Sequence, residues 1–312
     1  MEFAPEINIF VGPNGTGKTH LMKCLYGTQN YFVFSQRDDL TPSPFRKLFQ
    51  INQTSEIIRY GSQECDIELA INGFKLNLNI SNSGDSKSNW GMINFDRAIF
   101  IPALNMISHT KKFIPTYDEY QIDFDLTHRD IVSLLFSPEK RIPSEHASKI
   151  MNVLESIMGG KLEEEGERFY LESARGRHPM PLVADGMRKI ATLYQLVKNG
   201  WLEPGAVLFW DEPETHLSPI LMDEVIQVLL ELSRSGVQIF LATHNYIILK
   251  EFDLQATEED SVRYFSFSLN ENNAAQVSWT DDYSQIGPNP ISDQLDYIYD
   301  RELKRSLGPR GK

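Results

Sequence analysis

With 312 residues the chain can bury a full-sized core, and its 43 acidic against 30 basic side chains give a formal net charge of −13. That balance argues against strong, sequence-independent binding of nucleic acid by the isolated chain. No apolar run reaches the ~18 residues of a membrane span and no signal peptide precedes the first strand, so the expectation is a cytoplasmic protein without a membrane partner.

Ile7-Asn8-Ile9-Phe10-Val11 reads as an apolar strand. It runs into Gly12-Pro13-Asn14-Gly15-Thr16-Gly17-Lys18-Thr19, a complete phosphate-binding loop, and a helical pattern continues from Thr19 and His20 to Leu25. Gly12, Gly15 and Gly17 let the backbone curl so that successive N–H groups face phosphate oxygens. Lys18 reaches the β and γ phosphates, and the Thr19 hydroxyl ligates the magnesium that bridges them. The helix aims its positive end at the same charges. This loop predicts a bound nucleotide and leaves the P-loop class open.

Tyr31–Phe34 reads as a short strand, followed by a turn-rich stretch around Pro42 and Pro44. Across residues 66–80, Ile67, Leu69 and Ile71 alternate with polar residues, Asn72-Gly73 supplies a type I′ turn, and Phe74 to Ile80 resumes the alternation. Ser81 to Asn89 reads as a polar loop, and Arg97–Ile101 as a strand ended by Pro102. Thr127–Phe136 and Ser144–Met158 have helical spacing, the second with a Ser144 start and a Gly159-Gly160 stop. Lys161–Glu164 and Arg168–Glu172 form two further strands. From Ala184 the pattern alternates: helix 185–198, strand 206–210, helix 219–234, strand 237–242 and a short helix 245–250. Such alternation predicts parallel strands covered by helices. Strands 262–269 and 275–279 and a helix near 291–306 close the chain.

The second half of the chemistry lies in this block. Ala206–Trp210 is an apolar run that delivers Asp211 and Glu212 at its carboxyl end. Asp211 there can reach the magnesium shell, and Glu212 can polarise a water as general base. His244, just past the next strand, can hydrogen-bond a γ-phosphate. Val183-Ala184-Asp185-Gly186-Met187-Arg188-Lys189 opens a helix. Asp185 is the expected N-cap, and the helix start with Arg188 and Lys189 forms either an anion-seeking surface or a capped helix with nothing bound. Lys111-Lys112, Arg175–His178 and the tail through Lys304-Arg305 to Lys312 are the local basic clusters, read as solvated surface or as nucleic-acid contacts. Cys24 and Cys65 lack metal-ligand spacing and are expected as reduced thiols.

Gly12–Thr19, Val183–Lys189, Leu208–Pro219 and Ala242–Asn245, in this order and spacing, resemble the soluble ABC-type ATPases. These are relatives of the RecF and structural-maintenance-of-chromosomes proteins, often labelled AAA family ATPases. Ile101–Ala103 through Ser108-His109, Phe124-Asp125 and Phe209–Glu214 are similar to the subgroup that includes OLD-like and other anti-phage ATPases. The resemblance implies an α/β P-loop NTPase fold of ABC-ATPase type, a mixed sheet core with an antiparallel β lobe and a helical lobe. It implies a single head over 1–312, divided at 1–43, 44–101, 102–182, 183–282 and 283–312, with the hairpin-rich insertion at 45–100 either forming the antiparallel lobe beside the adenine or holding a partner. ATP and magnesium are the implied ligands, and a head-to-tail homodimer sandwiching ATP the implied assembly. There Asp185, Gly186 and Arg188 act in trans, Thr215-His216-Leu217 crosses the dimer, and residues 102–109 sense magnesium through Asn105.

Two departures stand out. A transporter signature begins Leu-Ser-Gly-Gly, whereas Ala184 and Asp185 replace its serine and first glycine, and Asn105 is shorter than the usual Gln or Glu. The functional expectation is an ATPase with Lys18, Glu212 and His244 as catalytic residues, switching a separate effector in anti-phage defence or DNA surveillance. The alternatives are a nucleotide-gated sensor of DNA or of a phage component with little turnover, and a transporter ATPase subunit.

Overall fold

The structure is a computed structural model, and it describes residues 1–30, 44–59, 61–71, 74–81, 86–89, 97–120, 122–140 and 142–307. The expected strand at Tyr31–Phe34, the Asn72-Gly73 turn and the tail beyond Leu307 lie outside the described residues. Strand β1 (Ile7–Val11) leads into helix α1 (Lys18–Asn30), followed by α2 (Pro44–Phe49). Strands β2 (Glu64–Ile71), β3 (Phe74–Ser81) and β4 (Ser86–Asn89) form an antiparallel sheet of their own, and β5 (Ala98–Ile101) returns to the core. Helices α3 (Phe113–Glu119), α4 (Leu126–Leu135) and α5 (Glu145–Met158) come next. Strands β6 (Gly160–Glu165), β7 (Arg168–Ser173) and β8 (Gly176–Pro179) make a second antiparallel sheet. The remainder alternates as α6 (Asp185–Lys198), β9 (Val207–Asp211), α7 (Pro219–Arg234), β10 (Gln238–Thr243) and α8 (Tyr246–Gln255). Strands β11 (Val262–Leu269) and β12 (Ala275–Thr280) and helix α9 (Pro290–Leu307) end it.

The core sheet has the order β12-β11-β1-β10-β9-β5, parallel throughout except for the antiparallel edge strand β12. Its strands are apolar on both sides, and their period of two still separates two cores. Ile7, Ile9, Ile99, Ile101, Leu208, Trp210, Ile239 and Leu241 face helices α4 to α8. The opposite face is rich in phenylalanine: Phe100, Phe209, Phe240, Phe10 and Phe265 cross the sheet and pack with Met22, Leu25 and Tyr26 of α1. Phe209 stacks on Phe240 with centroids 4.9 Å apart, and Phe10 meets Phe265 edge-on at 5.4 Å.

Local signals account for several boundaries. The Ser144 hydroxyl accepts the Ala147 N–H at the start of α5, and Gly159 ends that helix at φ 64°. Asn245 caps α8, which runs to Gln255 rather than stopping at 250. The expected cap at Asp185 is corrected: Ala184 holds the N-cap position without a side-chain bond, and Asp185 is already helical. The polar loop expected at 81–89 is corrected too, because Ser86–Asn89 pairs with β3. No helix among the described residues is long and apolar enough to cross a membrane.

Candidate nucleotide site

The site is built where β1, β10 and β9 end side by side. Pairing aligns Val11 with Thr243 and Ala242 with Asp211, so Gly12, His244 and Glu212 are the next residues out on three neighbouring strands. Gly12 leaves the sheet at φ 150°, and a Cβ there would lie 2.3 Å from the Phe267 carbonyl oxygen, so only glycine fits. Gly15 and Gly17 also hold positive φ, 80° and 94°, which curls the loop as the motif requires. Pro13, Asn14 and Gly15 are exposed along its crest, while the Thr16 hydroxyl is tied to the Pro13 carbonyl at 2.9 Å. His20, one turn on, stacks its ring on Phe49 of α2 at 5.7 Å.

Lys18 is buried and donates to the Gly12 and Pro13 carbonyls at 2.7 and 2.8 Å. Burial lowers its pKa, against the opposing pull of Asp211, Glu212 and Glu214. The Thr19 hydroxyl lies 3.1 and 3.0 Å from the two carboxylate oxygens of Asp211. Burial, with Glu212 next door, pushes the Asp211 pKa up to about 6, although Thr19, Lys23 and Lys18 work the other way. Two hard oxygen ligands, the Thr19 hydroxyl at the start of α1 and the Asp211 carboxylate at the end of β9, are a donor set that fits magnesium. A divalent ion there would restore the ionised carboxylate.

Glu212 occupies the left-handed region at φ 45°, with its N–H bonded to the Ala242 carbonyl at 2.9 Å. Its carboxylate accepts from the Thr215 hydroxyl at 3.2 Å and lies 3.4 Å from His244 Nδ1. The fold thus brings together Lys18, Thr19, Asp211, Glu212 and His244, from segments about 190 residues apart in the chain.

The other expected site residues stand apart from this cluster. Asp185 pairs with Arg188 at 2.6 Å, and Arg188 also donates to the Val183 and Pro181 carbonyls at 2.8 and 2.9 Å, so its charge is turned onto its own helix start. Gly186 packs against the loop at 215–217, where a Cβ would meet the His216 carbonyl oxygen at 3.1 Å. Asn105 donates to the Thr192 hydroxyl at 3.2 Å and accepts the Ile107 N–H at 3.0 Å, which anchors its loop on α6. The basic cluster at 175–178 is partly spent inside its own sheet: Arg177 pairs with Glu165 and covers the Tyr170 ring at 3.8 Å.

Two site residues escape a reading of the sequence. Lys189, expected at an anion-seeking surface, is 1% exposed and donates inward to the Glu212 and Pro213 carbonyls at 2.7 and 3.3 Å. Burial lowers its pKa to about 8, against the pull of Glu214, Glu212 and Asp211. Its signal was positional, since residue 189 shares the buried helical face of Gly186, Ile190 and Leu193. Glu214 is also buried, and one of its oxygens accepts from the Thr243 hydroxyl at 2.8 Å and the His244 N–H at 3.1 Å.

Comparison with solved structures places this arrangement among known folds. An Smc head bound to the C-terminal winged-helix domain of ScpA superposes with a TM-score of 0.58 at 14% identity, covering 90% of this chain and 91% of that one. An Smc head from Pyrococcus furiosus with an extended coiled coil, bound to the C-terminal domain of ScpA, gives 0.55 at 12% identity, covering 96% and 94%. At that identity the likeness is one of fold, the α/β P-loop fold of ABC-type ATPase heads. Among curated proteins, protein ea59 of Escherichia phage lambda is 24% identical over 259 residues, 79% of this chain and 46% of that protein. The energy-coupling factor transporter ATP-binding protein EcfA of Methanothermobacter thermautotrophicus is 27% identical over 118 residues, 38% of this chain and 36% of its own length. The chain therefore spans less than half of these curated relatives. The family described as "AAA domain, putative AbiEii toxin, Type IV TA system" matches residues 66–250, more than half of the chain, and the chain belongs to that ABC/AAA-type ATPase family.

Proposed function

We propose that this chain binds ATP with magnesium, hydrolyses it, and uses the cycle to pair with a second copy and switch a separate effector. The observation that carries the reading is the convergence of Lys18, Thr19, Asp211, Glu212 and His244 at the ends of three adjacent strands. Lys18 and the loop N–H groups hold phosphate oxygens, and Thr19 with Asp211 holds magnesium, which supplies positive charge to those oxygens when bound. Glu212 takes the proton from the attacking water, and His244, beside it, contacts the terminal phosphoryl group.

Self-pairing is supported by the surface around the α6 start. Leu182 is 76% exposed and Ile220 79%, and along the chain they flank Asp185-Gly186 and His216. A second copy docking there would cover them and bring this face to the other phosphate-binding loop. An anti-phage or DNA-surveillance role is the biological setting that the family suggests, with DNA or a phage component as trigger.

Replacing Glu212 with Gln should lower turnover about a hundredfold or more while leaving ATP bound, and should shift the protein to a dimer by light scattering. Wild-type turnover in that variant would remove Glu212 as the base. A second reading, a nucleotide-gated sensor with little turnover, draws on Ala184, which lacks the hydroxyl of a signature serine, and on the Asp185–Arg188 pair. Phosphate release by the wild-type protein, with and without DNA, separates the two.

A further inference from the structure

Two buried charges hold the catalytic turn. From α6, the Lys189 ammonium bonds the carbonyls of Glu212 and Pro213 at 2.7 and 3.3 Å. From within the turn, Glu214 accepts the Thr243 hydroxyl and the His244 N–H, which ties the end of β10 to the end of β9. Its second carboxylate oxygen is buried without a hydrogen-bond partner. An ammonium and a carboxylate are costly to bury, and an apolar side chain of similar length would fill either place without that cost.

The backbone between them explains what the charges hold. Glu212 stands at φ 45°, a conformation unfavourable for any residue with a Cβ. The turn also diverts the Glu212 and Pro213 carbonyls from the strand ladder. A lysine fits this task because a compact ammonium on a long flexible stem can serve two carbonyls at once. Glu214 does the same for β10, where the histidine follows the last strand residue and its amide needs an acceptor.

We propose that Lys189 and Glu214 are positioning residues for hydrolysis: Lys189 sets the backbone of Glu212, and Glu214 sets His244 against it. This rests on the reading of Glu212 as the base. Lys189 also sits one turn into the helix that begins with Asp185-Gly186, so it links the attitude of that helix to the Glu212 carbonyl.

The test compares Lys189→Met, which keeps the stem and loses the donor, with Glu214→Gln, which keeps the shape and one acceptor oxygen. Both are made alone and in the Glu212→Gln background, with melting temperature, affinity for a fluorescent ATP analogue, kcat and KM measured for each. Folded single variants should keep analogue affinity and KM within about twofold and lose kcat by about tenfold (Glu214→Gln) to about a hundredfold (Lys189→Met). In the Glu212→Gln background Lys189→Met should not lower the residual rate further, because it acts through that carboxylate, whereas Glu214→Gln, which acts through His244, should still lower it. Wild-type kcat in the folded variants would overturn the proposal, as would a loss carried by affinity or a full additional loss from Lys189→Met beside Glu212→Gln. If Lys189→Met does not fold, Glu214→Gln decides alone by kcat against affinity. The site reading fails differently: Glu212→Gln itself would turn over at the wild-type rate, which removes base and clamp together. Loss of the clamp alone leaves Glu212→Gln inactive.

Discussion

Lys18 spends two of its three donors on the carbonyls of Gly12 and Pro13. Phosphate oxygens must draw the ammonium from those carbonyls, so the lysine's contribution to affinity is a difference between two sets of charge-assisted bonds. Lys18→Ala should still cost about 2–3 kcal/mol of nucleotide binding, roughly a hundredfold, because no other cation of the loop replaces it. It should also abolish ATP-dependent dimerisation. Light scattering with and without ATP measures this, and a Lys18→Ala protein that still dimerises with ATP would contradict the assigned role. The phosphate-binding loop and the Asp211-Glu212 pair were readable from the sequence because each motif is contiguous and its chemistry fixes the residue type. Lys189 and Glu214 were not, since their partners are backbone groups that only the folded turn presents.

Helices α1 and α4 are fastened through Asp125. Its carboxylate caps α4 at Thr127, pairs with Lys23 of α1 at 2.6 Å and meets His128 Nδ1 at 3.0 Å, while Tyr26 of α1 bonds Asp130. Burial opposes ionisation of Asp125, yet the bonds from His128 and Lys23 outweigh it and hold its pKa below the usual carboxylate range. A depressed folded-state pKa gives stability that is present above the unfolded value near 3.9 and lost as the pH falls through the folded one. Asp125→Asn should therefore cost about 3 kcal/mol at neutral pH, and its deficit against wild type should shrink as denaturant melts are taken from pH 6 towards pH 3. A deficit constant over that range would show the carboxylate charge to be irrelevant. Elements with strong periodicity, such as α5 to α7 and the core strands, were readable to within about two residues. Helices α2 and α3 were missed because they are short, each with an internal or leading proline, and β4 because Ser-Lys-Ser-Asn has no apolar face. Its strand conformation comes from pairing with β3 alone.

At the scale of the whole molecule, β1 is a central strand whose two neighbours, β10 and β11, both come from beyond residue 237. The five-residue strand that launches the phosphate-binding loop thus has no backbone partner until most of the polypeptide exists. The two small antiparallel sheets and the α5–α6 region can form from local contacts well before that. During synthesis, Ile7–Val11 must wait as an exposed apolar segment for roughly 230 residues of later chain, a window of tens of seconds at ordinary elongation rates, in which it is a target for chaperones or aggregation. A fragment of residues 1–236 carries every loop residue and both Asp211 and Glu212, yet should bind no ATP analogue and should be recovered as insoluble protein. The same fragment supplied with residues 237–307 as a separate chain should regain binding, because what the early strand lacks is a neighbour on each side, and those neighbours need not be covalently attached.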